Sequence, residues 1–136
     1  QGTIKCPAKW SRSECLVAIS RTLREVIGRH APTVCAVEGL FFAQNVKTAL
    51  IMGEARGAAM AAVAENGLEI FEIAPRKVKQ SIVGYGNAQK LAVAKMVQRM
   101  PGLAELPAPG AADALALALT YAHLNKRFAI DPTQKI

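Results

Sequence analysis

Apolar residues recur at helical spacing through the first part of the chain, where Leu16, Ile19, Leu23 and the pair Val26 and Ile27 share one face. Ser11, with Glu14 three residues on, supplies a capping-box start, and Pro32 closes the helix. The pattern then shortens. "TVCAV", ending at Val37, has the length and apolarity of a buried strand, and Glu38 stands at its end. A long helix is predicted over Val46 to Glu65, stopped by Asn66 and Gly67. "LEIFEI", Leu68 to Ile73, alternates like a strand, with Leu68, Ile70 and Glu72 on one side. After it, "APRKVKQSIV" reads as a short helix and Gly84-Tyr85-Gly86 as a break. Asn87 caps a further helix, and Pro101, Pro107 and Pro109 mark a stiff loop. The last predicted element, "AADALALALTYAHLN", is an Ala/Leu helix with Asp113 in its first turn. Helices alternating with strands predict an α/β layer architecture.

Composition changes this picture in one direction. At 136 residues, about half of them apolar, the chain suits a single domain over 1–136 with a real core. Its formal charge of +7 points to a polyanionic partner, nucleic acid ahead of an anionic membrane surface. Cys6, Cys15 and Cys35 form no CxxC pair and have no histidine at ligand spacing. They read as free thiols of a reducing compartment rather than as a zinc site. His30 and His123 are isolated and read as helix-end or surface residues. There is no signal-peptide pattern, and the most apolar run, Ala111 to Ala122, is too short to span a bilayer.

Candidate chemistry gathers in three places. Glu38 and Asp113 are acids with apolar neighbours, one ending a strand and one starting a helix. Such positions hold hard divalent cations together with phosphate oxygens. The bland alternatives are a solvated strand end for Glu38 and a favourable first-turn acid for Asp113. Between Ile73 and Ala104 there is no acidic residue, while Arg76, Lys77, Lys79, Lys90, Lys95 and Arg99 all fall inside. Lys79 and Lys90 flank the glycine break, where backbone could follow a phosphate chain; a merely solvated basic face is the rival reading. Phe41 and Phe42 follow Glu38 in a predicted loop, where one could stack on an unpaired base and one could staple the loop to the core. On the long helix Gly53, Gly57 and Ala61 share a face, which suits either helix-on-sheet packing or a subunit interface.

"VEGLFFAQNVKTALIMGEARGAAM", "APRKVKQSIVGYGNAQK" and "AADALALALTYAH", in this order and spacing, resemble the RuvC family of Holliday-junction resolvases from Gln1 to about Lys126. The resemblance implies an RNase H-like fold and a magnesium-dependent endodeoxyribonuclease of the bacterial cytoplasm, with manganese as an alternative ion. Such an enzyme resolves four-way DNA junctions in recombination and repair by paired nicks. It implies a homodimer associating through the Gly53–Gly57 helix, and the RuvA–RuvB branch-migration complex as a further partner. By the same resemblance Glu38 and Asp113 are catalytic metal ligands and Phe41 stacks on bases. Lys79 and Lys90 grip the junction backbone, and Arg76 belongs to the same basic DNA-binding stretch.

Two departures qualify this. The family's first-strand aspartate motif is absent, and "QGTIK" looks like the end of a third strand. The chain is therefore expected to lack its first two strands, to support two magnesium ions poorly, and to cleave little by itself. Gly110 stands where the family often carries another acid or a histidine. A catalytically silent junction-binding module on the same fold is the alternative that this glycine keeps open.

Overall fold

The computed structural model describes residues 2–39, 45–84, 90–99, 101–126 and 134–136, with only the backbone of Lys90, Leu91, Ala92, Ala94, Lys126, Gln134 and Lys135. The elements run α1 (Arg12–His30), β1 (Val34–Glu38), α2 (Val46–Glu65), β2 (Glu69–Ile73), α3 (Pro75–Val83), α4 (Lys90–Arg99), α5 (Pro109–Lys126) and β3 (Gln134–Lys135). The strands form one sheet in the order β1-β2-β3. β2 and β3 pair antiparallel, Phe71 opposite Lys135 and Glu72 opposite Gln134. The Phe loop and the Tyr85–Gly86 break lie outside the described residues, as does the expected cap at Asn87.

Helix starts follow local chemistry. Ser11 caps α1 as the sequence predicts: its hydroxyl accepts from the Glu14 N–H, while the Glu14 carboxylate accepts from the Ser11 N–H at 2.7 Å. Those bonds hold the Glu14 carboxyl below its ordinary range, the backbone bond first and the hydroxyl second. Asn45 caps α2 by accepting from the Thr48 N–H at 2.9 Å. Pro75 occupies the first turn of α3, where a missing N–H costs nothing.

Contacts divide the chain into two compact units. The first holds residues 1–3, 36–40 and 71–135. Its core gathers Ile73 from β2, Val78 and Ile82 from α3, Val93 and Val97 from α4, and Ala116 from α5. Each helix contributes residues four apart, so one stripe per helix is buried. On α5 that stripe is Ala112, Ala116 and Thr120. The Phe71 and Tyr121 rings pack at 5.1 Å, tilted by 40°.

The second unit holds residues 4–35, 41–70 and 136. Here α1 packs on α2, and Arg12–Glu54 and Arg24–Glu65 ion pairs tie their outer faces. The paired residues are 42 and 41 positions apart, so the two helices run in the same direction. These pairs are exposed and fix register more than they stabilise. The pairing also explains an apolar surface: Glu54 lies eight residues into α2, so the first two turns reach past the start of α1. Val46, Leu50, Ile51 and Met52 are accordingly exposed.

Four expectations change. The strand ending at Glu38 is half-buried rather than buried, because β1 lies at one side of the sheet order. Residues 2–7 are exposed and form no strand; Gly2 brings no side chain and Pro7 no N–H to a ladder. On β2 the buried residues are Ile70 and Ile73 rather than one alternating face. Finally, α5 begins at Pro109, so its first turn holds no acid and Asp113 is the fifth residue. Pro109 and Gly110, read as loop, are the helix start, since a proline's fixed φ suits the first helical position.

Candidate active site

Glu38 reaches the first unit at the carboxyl end of β1. The next residue, Gly39, donates its N–H to the Ile73 carbonyl at 2.9 Å, which fixes the strand end against β2. Ile73 is fully buried in the core, so the backbone just past Glu38 is fastened to the most deeply buried residue of β2. Asp113 comes from α5, which joins that core through Ala116. It precedes the buried Ala116 by three residues and shares a stripe with Leu117, four residues on.

The two carboxylates line one cleft of about 100 Å³. Its walls are Pro75, Val78, Val93, Ala116 and Leu117, and among the described residues its basic member is Lys79. Lys79 follows Val78, which points into the core, and is itself half-buried. Glu38 and Asp113 are both exposed, so the cleft opens to solvent on its acidic side. Apolar walls beneath two acids and a lysine make a site that accepts a cation and an anionic oxygen together.

The donor set fits a hard divalent ion: two carboxylates supply oxygen ligands and leave positions for water or a phosphate oxygen. Among the described residues no group of three His, Cys, Asp or Glu gathers. Gly110 lies one turn before Asp113 and adds no ligand. A Cβ there would meet only the Thr3 methyl, at 3.6 Å.

The predicted site residues divide clearly. Glu38, Asp113 and Lys79 come together. Arg76 is exposed in the first turn of α3. Lys90 opens α4, but its side chain is outside the described residues, as is Phe41 altogether. Lys79, expected to grip the DNA backbone beside the glycine break, lines the acidic cleft. The walls Val93 and Leu117 were not anticipated. Leu117 carried a signal, its i+4 spacing from Asp113; Val93 carried none. On α2, added Cβ atoms at Gly53 and Gly57 would meet nothing within 4 Å, so that face is not closed by helix-on-sheet packing.

The sequence matches the family described as "Crossover junction endodeoxyribonuclease RuvC" over residues 1–121. It is 44% identical over 123 residues to the protein of that name from Chloroflexus aggregans, covering 90% of this chain and 75% of the relative. The Heliobacterium modesticaldum protein of the same name is 45% identical over 123 residues, 90% of this chain and 76% of its own length. Among solved structures, Thermus thermophilus RuvC in complex with Holliday junction substrate matches with a TM-score of 0.85 at 34% identity. That match covers 98% of this chain and 79% of the other. A second T. thermophilus RuvC structure gives 0.83 at 32% identity, over 98% and 78%.

Proposed function

The chain belongs to the RuvC family of crossover junction endodeoxyribonucleases, with the RNase H-like fold, and on that premise we propose that it hydrolyses phosphodiester bonds at four-way DNA junctions. The observation that supports this is the shared cleft of Glu38, Asp113 and Lys79. Glu38 and Asp113 would hold a magnesium ion, with manganese as a substitute. When bound, such an ion polarises a phosphate oxygen and lowers the pKa of a coordinated water. The chain's own groups do the rest. Lys79 offsets the charge of the phosphate that enters beside the carboxylates. Val78, Val93 and Leu117 exclude bulk water from the inner side of the cleft, which strengthens those charges.

Arg76, Lys79 and Lys90 carry the backbone contacts, and Phe41 stacks on an unpaired base at the crossover. Such contacts position the junction and supply affinity that falls with salt. The protein acts as a homodimer through α2, whose exposed Val46, Leu50, Ile51 and Met52 and open Gly53–Gly57 face support that assembly. Two copies place one cleft on each of two symmetric strands. The RuvA–RuvB complex is the further partner this assignment carries, and the bacterial cytoplasm is the compartment. No helix of the described residues is long and apolar enough to cross a membrane.

A junction-binding module without cleavage is the second reading, favoured by a cleft that offers two carboxylates among the described residues. The test pairs a gel-shift on four-way and linear duplex DNA with a nicking assay in magnesium, for the parent, Glu38→Gln and Asp113→Asn. Both variants should bind the junction as tightly as the parent, in preference to linear duplex, and the little magnesium-dependent nicking expected of the parent should be lost in both. Nicking that survives both substitutions would sink the assignment of the carboxylates. Equal affinity for linear duplex would sink the junction reading, and junction binding without nicking, by the parent and also by a chain extended with the family's first-strand aspartate, would select the silent module.

A further inference from the structure

The second unit carries a groove of about 380 Å³ along the amino-terminal half of α1, lined among the described residues by Trp10, Ser13, Glu14, Val17, Ala18 and Arg21. That volume falls in the range of about 300–1,000 Å³ that suits a small ligand. None of these residues belongs to the unit that holds the acidic cleft, so the groove stands apart from nuclease chemistry. Its helical members recur at three- and four-residue spacing and so share one face. Trp10 is half-buried just ahead of the helix, in a turn held by its N–H bond to the Pro7 carbonyl at 2.9 Å. Val17 is 63% exposed, an apolar surface left open to solvent beside the indole.

The two ends of the groove carry opposite charge. Arg21 lies seven residues after Glu14, two turns and about 10 Å along the axis. Both bonds from Ser11 to the Glu14 carboxylate fall on Oε2, at 2.7 and 2.8 Å, so Oε1 remains to accept from a ligand. Arg12 and Arg24 are committed to Glu54 and Glu65, whereas Arg21 has no ion pair among the described residues. The groove therefore suits a flat apolar body with hydrogen-bond donors at one end and an anion at the other.

We propose that this groove binds a guanine nucleotide, free or in an unpaired stretch of a strand, with the purine against Trp10 and Val17, its N1–H and N2–H edge on Glu14, and its phosphate on Arg21. A carboxylate only accepts, and guanine is the DNA base whose Watson–Crick edge sets two donors side by side. Adenine, cytosine and thymine each set an acceptor beside their donor, which a carboxylate repels. The indole contributes stacking that every base can use, so Trp10 gives affinity and Glu14 gives the choice of base. Arg21 supplies a planar fork of donors for phosphate oxygens.

Trp10 is the chain's one tryptophan, so its emission reports on this groove. The experiment titrates the folded chain with dGMP, dAMP, deoxyguanosine, and two short thymine oligonucleotides carrying a single central guanine or adenine, reading Trp10 quenching and, in parallel, calorimetric heat. The expected result is saturable quenching by dGMP, about tenfold or more tighter than by dAMP. Glu14→Gln, checked for retained helix by circular dichroism, should erase that preference while keeping the stacking. Arg21→Ala should erase the advantage of dGMP over deoxyguanosine and leave the preference for guanine. Tighter quenching by the guanine oligonucleotide than by dGMP assigns the groove to a strand, and the reverse assigns it to the free nucleotide. Equal affinity for dGMP and dAMP would overturn the proposal, as would a guanine preference that survives Glu14→Gln, or the absence of both quenching and heat with every guanine ligand.

Discussion

Replacing Lys79 with alanine separates two effects that a basic residue in an acidic cleft must have, and their signs are opposite. Lys79 lines the cleft with Glu38 and Asp113, so its removal leaves two carboxylates with one fewer cation against them. Divalent-cation affinity should therefore rise. Junction affinity should fall, because one phosphate neutralisation is lost. On duplex DNA each neutralised phosphate contributes a slope of about 0.9 in log K against log salt. Raising salt fourfold, from about 50 to 200 mM, should then shrink the parent's advantage over Lys79→Ala by about 3.5-fold. Fluorescence anisotropy with a labelled four-way junction gives the slope, and manganese titration by paramagnetic resonance gives the cation affinity. Gln80→Ala, a neutral exposed neighbour on the same helix, is the control and should change neither. If the Lys79→Ala penalty does not vary with salt, Lys79 does not neutralise a phosphate. If cation affinity falls along with DNA affinity, the variant has disturbed the cleft and the charge argument is wrong.

Two stability predictions rest on helix ends. Ala31, the C-cap of α1, has φ 44° and ψ 51°, a left-handed conformation that costs a Cβ-bearing residue roughly 1–2 kcal/mol. Ala31→Gly removes that strain but loosens the unfolded chain by about 0.4–1 kcal/mol, so a net gain of about 0.5 kcal/mol and a rise of about 2 °C in Tm are expected. Calorimetry that shows a lower Tm would contradict the strain. At the other end of α1, the lowered Glu14 carboxyl contributes stability above its unfolded value near 4.5, and that contribution disappears as pH falls through the lower folded value. Glu14→Gln keeps the capping geometry without the titration. Its urea stability should lie below the parent's at about pH 7 and converge with it as pH falls through the lowered folded value; curves that stay parallel as the pH is lowered would refute the linkage.

Sequence was a good guide wherever one segment carried its own instructions. Ser11 and Glu14 announce α1, and the Asn66–Gly67 stop ends α2 at Glu65, because caps and stops act within a few residues. It was a poor guide wherever burial depends on a neighbour. Val34 to Val37 are as apolar as a central strand, yet they are half-buried, since the sheet order leaves β1 at one side. β3 was missed altogether. Gln134 and Lys135 show no apolar alternation, and their pairing is set by the register of Phe71 and Glu72 rather than by anything in their own composition.

The cleft was legible for a different reason. Glu38 and Asp113 lie far apart in the chain, and no local periodicity brings them together. What joins them is a common core: Gly39 is fastened to the Ile73 carbonyl, and Ile73 packs in one cluster with Val78 and Ala116 beneath the acids. The spacing of family motifs encodes that meeting, while the periodicity of each segment does not. The corrected start of α5 then bears on what Asp113 is for. As a first-turn acid it would need no further explanation, because the helix amino terminus stabilises negative charge there. With Pro109 as the first residue, Asp113 lies in the second turn, where that benefit has largely decayed. The helix-end explanation therefore weakens, and an exposed acid sharing a cleft with Glu38 and Lys79 is better accounted for by the cation it would hold.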